Sequence, residues 1–230
     1  MKILAVDTSG FEGSVALSED RILVEQRLLT AEGRRHAQTL VSEVDRLLRD
    51  QRLRPKDIDA VAVSIGPGSF TGLRVGVVFT KTFAWANNAK LIAVDTLQAV
   101  AQQAGADYKR VKVISDAQRR EVFLNDYVWD ENLAASVPVG EVRIRSVDSL
   151  AAESPADVGS DCLLTGPGLT KFGAELQGYH RLADLSLWNP HAASVAELAS
   201  IMLVNNDVAD IYTLEPLYIR RSYAEEKAAK

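Results

Sequence analysis

Residues 61–94 read VAVSIGPGSFTGLRVGVVFTKTFAWANNAKLIAV. Residues 61–65 are a short apolar run without polar alternation, the pattern of a strand covered on both faces. Gly66-Pro67-Gly68 punctuates it, and a helix is expected over residues 71–87. Along that helix Gly72, Gly76, Thr80 and Ala84 recur every four residues as a smooth ridge. Leu73, Val77, Phe79, Phe83 and Trp85 are bulky around it. Residues 90–94 form a second buried strand. Strand, glycine turn, helix and strand make a unit of parallel sheet, so an α/β fold is expected.

Upstream, residues 2–6, 14–17 and 22–29 read as short strands joined by polar turns, an antiparallel meander. Ala37, Leu40, Val41, Val44, Leu47 and Leu48 then recur at spacings of three and four, one stripe of a helix that ends before Pro55. Downstream of a helix over residues 97–104 the order partly repeats. Residues 113–116 lead a strand pair that continues through 121–128. Residues 162–165 run into Gly166-Pro167-Gly168 and a helix over 169–176. Two elements in matching order indicate two related subdomains. A final helix carries Val195, Leu198, Ala199 and Met202 on one face. The expected division is residues 1–106, a smaller second unit 107–190, and a segment 191–230 returning to the first unit. No flexible linker marks the boundary near Asp107.

Composition narrows the functional classes. Apolar residues make up 47% and charged residues 25% of 230, an ordinary globular balance, with disorder expected only at residues 224–230. The lone Cys162 offers neither a disulfide nor a zinc pair, and its apolar strand should leave the thiol inert. An acidic residue at Asp7 comes too early for a signal peptide, and the longest apolar stretch, 75–86, is interrupted by Gly76, Thr80, Lys81 and Thr82. The expected location is the cytoplasm, with no membrane partner. A net charge of −5 disfavours independent tRNA binding. The basic pairs Arg34-Arg35, Arg119-Arg120 and Arg220-Arg221 read as solvated corners.

Duplicated units of this order resemble the actin-like ATPase superfamily, which turns an Asp-bearing hairpin around ATP phosphates in each half. Asp7-Thr8-Ser9-Gly10 and Asp116-Ala117-Gln118 stand where such turns would lie. Backbone N–H groups must approach phosphate closely. The first turn has one glycine, and Gln118, Arg119 and Arg120 crowd the second. Gly66–Gly72 could accept an anion at a helix N-terminus capped by Ser69 or Thr71, but it lacks the Gly-Lys-Ser/Thr of a P-loop. Asp7, Thr8, Ser9, Gly68 and Ser69 are the candidate cofactor-binding residues.

Residues 64–99, together with DTS at 7–9, SVAL at 14–17, the helix led by His36, DAQRREVF at 116–123 and EPLYIR at 215–220, resemble the bacterial TsaB (YeaZ) family over nearly the whole chain. Residues 130–177 match loosely, and Arg120 stands where the family has glycine. The resemblance implies an actin-like, ribonuclease H-like fold in two subdomains. It implies a non-catalytic chain that supports TsaD, the enzyme transferring threonylcarbamoyl to the adenosine beside certain tRNA anticodons. TsaD-like enzymes hold a metal with a His-x-x-x-His pair; His36, His180 and His191 are not so spaced, so no metal site is expected. No Gly-x-Ser-x-Gly elbow supplies a nucleophile.

The resemblance further implies joining through first subdomains as a helix bundle, with a TsaE-type ATPase and tRNA met only through the complex; no cofactor is required by this chain itself, and the partner interface is the place left open for ATP or ADP. On this sequence Gly72, Gly76, Thr80 and Ala84 would let two backbones approach, and Leu40, Val44 and Leu47 would add apolar contact. Packing of the same ridge inside the chain is the competing reading. A small-molecule kinase of the actin-like superfamily, or a homodimeric interaction protein, are the rival functions.

Overall fold

The computed structural model describes residues 1–29, 36–153 and 161–220. Arg34, Arg35, Arg221, the tail 224–230 and the side chains of His36 and Ala37 lie outside it. A first sheet comprises β1 (Lys2–Asp7), β2 (Ser14–Glu19), β3 (Ile22–Leu28), β4 (Ala60–Ser64) and β5 (Lys90–Val94), in the order β3-β2-β1-β4-β5. β1 pairs antiparallel with β2 and parallel with β4, Val6 facing Val63. The second sheet comprises β6 (Arg110–Asp116), β7 (Glu121–Asp130), β8 (Ala135–Pro138), β10 (Cys162–Thr165) and β11 (Arg181–Leu182), in the order β8-β7-β6-β10-β11. β9 (Arg143–Ser146) also pairs with β7. Strand for strand, the directions repeat: antiparallel, antiparallel, parallel, parallel.

The helices repeat in step. α1 (His36–Asp50), α2 (Phe70–Asn87) and α3 (Thr96–Ala104) are answered by α4 (Val147–Ala151), α5 (Leu169–Leu176) and α6 (Ala192–Val204). Mixed sheets with flanking helices in two related units make the fold actin-like. The last helix of each unit packs on the other unit's sheet. Leu97, Val100 and Ala101 of α3 join Val111, Val113 and Tyr127. Val195, Ala196 and Ala199 of α6 join Ile3, Ala5, Ala16 and Ala62. The first sheet allows this because its strands alternate. Leu4, Val6, Val61 and Val63 point to α1 and α2, while mostly small alanines face α6.

Residues 215–220, where no regular element forms, strap the two units together. The Leu217 N–H donates to the Ile65 carbonyl at 2.8 Å, and the Tyr218 ring lies 4.7 Å from that of Phe70. At the other end Arg220 donates to the Ala117 carbonyl at 2.5 Å and pairs with Glu121. No helix among the described residues is long and apolar enough to cross a membrane.

The small-residue ridge of α2 points inward, which corrects its reading as a partner surface. A Cβ on Gly72 would stand 1.9 Å from the Thr8 carbonyl oxygen, and one on Gly76 would stand 2.5 Å from the Thr8 hydroxyl. Thr80 is fully buried and its hydroxyl donates to the Gly76 carbonyl. Ala84, Leu40, Val44 and Leu47 are buried in the same core, against the bulky face of the first sheet. The ridge exists because the α2 backbone must come this close to the end of β1. Gly72→Ala is therefore expected to cost about 1–3 kcal/mol by overpacking, read as a lower urea midpoint with unchanged slope.

Candidate functional site

The turn after β1 and the loop before α2 come together, as the candidate residues required. The Ser69 N–H donates to the Ser9 carbonyl at 2.7 Å, the Thr8 hydroxyl donates to the Gly72 carbonyl at 2.8 Å, and a Cβ on Gly68 would stand 2.5 Å from the Ser9 oxygen. Ser69 caps α2, its hydroxyl accepting from the Gly72 N–H at 3.3 Å. Thr71, the other cap candidate, lies inside the helix. Part of the expected anion seat is thus met from within: the Ser9 carbonyl takes the Ser69 N–H.

Asp7 closes the same turn from below. Its Oδ1 accepts from the Ser9 hydroxyl at 2.7 Å and from the Ser64 hydroxyl. Its Oδ2 has no partner, and the residue has no exposed surface. Burial pushes its pKa up, against the downward pull of the Ser64 and Ser9 hydrogen bonds and of nearby His191. A carboxyl without an open face is poorly placed to hold a cation or steer a water.

The second turn is built differently from a phosphate loop. Gln118, Arg119 and Arg120 all adopt left-handed backbone angles, with φ of 64°, 52° and 58°. The Asp116 carboxylate holds them by accepting from the Gln118 N–H at 2.8 Å and pairing with Lys171 at 2.9 Å. Arg120 pairs with Asp148 and Glu175. Its side chain thus anchors the turn in a surface ion-pair cluster. Of the remaining candidates, His180 is buried with Nε2 beside the Leu150 carbonyl. Burial also pushes the Cys162 thiol up, away from the reactive thiolate. Among the described residues no three His, Cys, Asp or Glu side chains converge on a metal position.

The outer layer carries Val41, which the stripe of α1 groups with the core positions, beside an apolar face of α2. On the solvent side of α1 and α2, Val41 is 63% exposed, Val78 64% and Trp85 68%. Half-buried Val75 and Phe79 pack beneath. The signal was in the sequence: Phe70, Arg74, Val78 and Thr82 repeat every four residues, with Trp85 closing the row.

A family model described as "TsaD: tRNA N6-adenosine threonylcarbamoyltransferase" matches residues 27–155, more than half of the chain. The Bacillus subtilis tRNA threonylcarbamoyladenosine biosynthesis protein TsaB is 29% identical over 99% of this chain and 97% of its own length. Its Escherichia coli counterpart is 28% identical over 99% and 98%. YeaZ from Pseudomonas aeruginosa superposes with a TM-score of 0.81 at 25% identity, covering 95% of this chain and 99% of that one. The chain belongs to this family, as a TsaB (YeaZ) member. The Bacillus match covers 99% of this chain and so includes the loosely matching stretch 130–177.

Two expectations test these turns. The folded pKa of Asp7 is raised, so its contribution is greatest at low pH and is lost as pH rises above the carboxylate's ordinary value. Asp7→Asn should keep the Oδ1 contacts and gain stability over the native chain as pH climbs from about 4 to 7. Chemical denaturation across that range checks this. Gln118→Gly relieves a left-handed side chain and should stabilise by about 0.5–1 kcal/mol, a Tm rise of roughly 1–4 °C.

Proposed function

We propose that this chain acts in the cytoplasm as the non-catalytic partner of a TsaD-type transferase in making threonylcarbamoyladenosine on tRNAs. The observation that carries the reading is the apolar outward face of α1 and α2, where Val41, Val78 and Trp85 stand exposed above a packed layer. Exposed tryptophan on such a face is the kind of side chain that anchors an interface. Two helices laid side by side offer a partner's helices a groove to complete a bundle. Full-length similarity to proteins named for threonylcarbamoyladenosine biosynthesis supports the pathway.

The chemistry of the turns supports the non-catalytic part of the proposal. Asp7 is sealed, the α2 N-terminus is engaged by Ser9, and side chains crowd the second turn. Nucleotide then belongs at the joint surface with the partner, as does any TsaE-type ATPase, and tRNA is met through the complex. An acidic chain gains little from phosphate contact by itself. When the transferase is absent, the same apolar face would pair two copies of this chain about a two-fold axis.

Trp85→Ala and Val78→Glu should leave stability within about 0.5 kcal/mol, because both positions are exposed. Each should weaken the complex with a TsaD-type transferase by roughly 30-fold, the loss of one anchor worth about 2 kcal/mol. tRNA modification should fall in step and return with excess protein. Unchanged affinity in both variants would show that the partner sits elsewhere.

A further inference from the structure

A cavity of about 400 Å³ lies where the two units meet, within the range of small-molecule sites. It is not the turn site: its floor is Asp95, Gln98, Asn125 and Tyr127, and its rim includes Glu141. Val142 and the strap residues Leu217 and Ile219 give it an apolar wall. One N–H of each floor amide and the tyrosine hydroxyl are already engaged. Gln98 Nε2 donates to the Ser136 carbonyl at 2.9 Å, Asn125 Nδ2 to the Gly140 carbonyl at 3.1 Å, and the Tyr127 hydroxyl to Asp95 Oδ1 at 3.2 Å.

The charge that faces the cavity is negative. Two carboxylates line it and no lysine or arginine does. Asp95 caps α3, its Oδ1 taking the Gln98 N–H at 2.8 Å, and its carboxylate lines the cavity. Burial raises the Asp95 pKa, and no cation stands among the groups acting on it. A phosphate or carboxylate entering here would meet like charge with no cationic side chain to receive it. A cation with several N–H groups on an apolar body would match both floor and wall.

From this lining we infer that the cavity between the units is a binding site for a small amidinium-, guanidinium- or ammonium-bearing molecule with an apolar body, its cation held by Asp95 and Glu141. The inference rests on the lining alone and stands apart from the transferase reading. Because the strap that roofs the cavity also ties β4 to the second turn, an occupant would lie against the segment joining both units.

Benzamidine and benzoate share a shape and differ in charge, so isothermal titration of the whole chain with each separates charge from apolar contact. Benzamidine should bind with a dissociation constant of about 1 mM or tighter, and benzoate should give no heat. Asp95→Asn retains the helix cap and removes the charge, and should weaken benzamidine by on the order of tenfold or more. Glu141→Gln, at an exposed rim position, should weaken it to a smaller extent without touching the fold. Silence up to about 10 mM, equal binding of benzamidine and benzoate, or affinity unchanged in both variants would each overturn the assignment.

Discussion

The backbone of α2 passes so close to the end of β1 that only glycine fits at two successive turns of the helix. Gly72 and Gly76 lie directly over Thr8, and the Thr8 hydroxyl returns a hydrogen bond to the Gly72 carbonyl. That contact seats the helix on the sheet, sends Ser69 into the Ser9 carbonyl and closes the roof above Asp7. It also fixes which side of α2 looks outward. With the smooth ridge turned in, Val78 and Trp85 are turned out. A tight internal fit thereby creates the apolar external face.

The same device recurs in the second unit with different partners. A Cβ on Gly166 would stand 2.2 Å from the Ile114 carbonyl, and the Gly168 N–H donates to that oxygen at 3.0 Å. Duplication therefore extends beyond strand order to the way each glycine turn is pinned against its neighbouring strand. The units diverge at their hairpin turns. The first is closed by buried hydroxyls around a carboxyl, the second by left-handed residues and surface ion pairs.

Exchange of the terminal helices makes the two units one body. α3 and α6 each cover the other unit's sheet, and the strap from Leu217 to Arg220 adds hydrogen bonds at both ends. The alternation of large and small residues in β1 and β4 is what permits it, since alanines on one face let α6 approach closely. The cavity at the joint is left where Asp95 ends one sheet's last strand and Asn125 and Tyr127 rise from the other.

Much of this was legible beforehand because it is written in local patterns. Apolar runs gave the central strands, three–four spacing gave α1, and paired Gly-Pro-Gly turns gave the repeat. The short β9, α4 and β11 escaped, since elements of two to five residues carry too little periodicity to stand out. The family, too, was readable from residues 64–99 and the flanking motifs. Sequence alone determined that a small-residue ridge must meet a close neighbour and that α1 must bury Leu40, Val44 and Leu47. Only the tertiary structure decided what they meet. A ridge fits equally well against the chain's own strand or a partner's helix, and the choice falls to the nearest surface the fold supplies, here Thr8 at the end of β1.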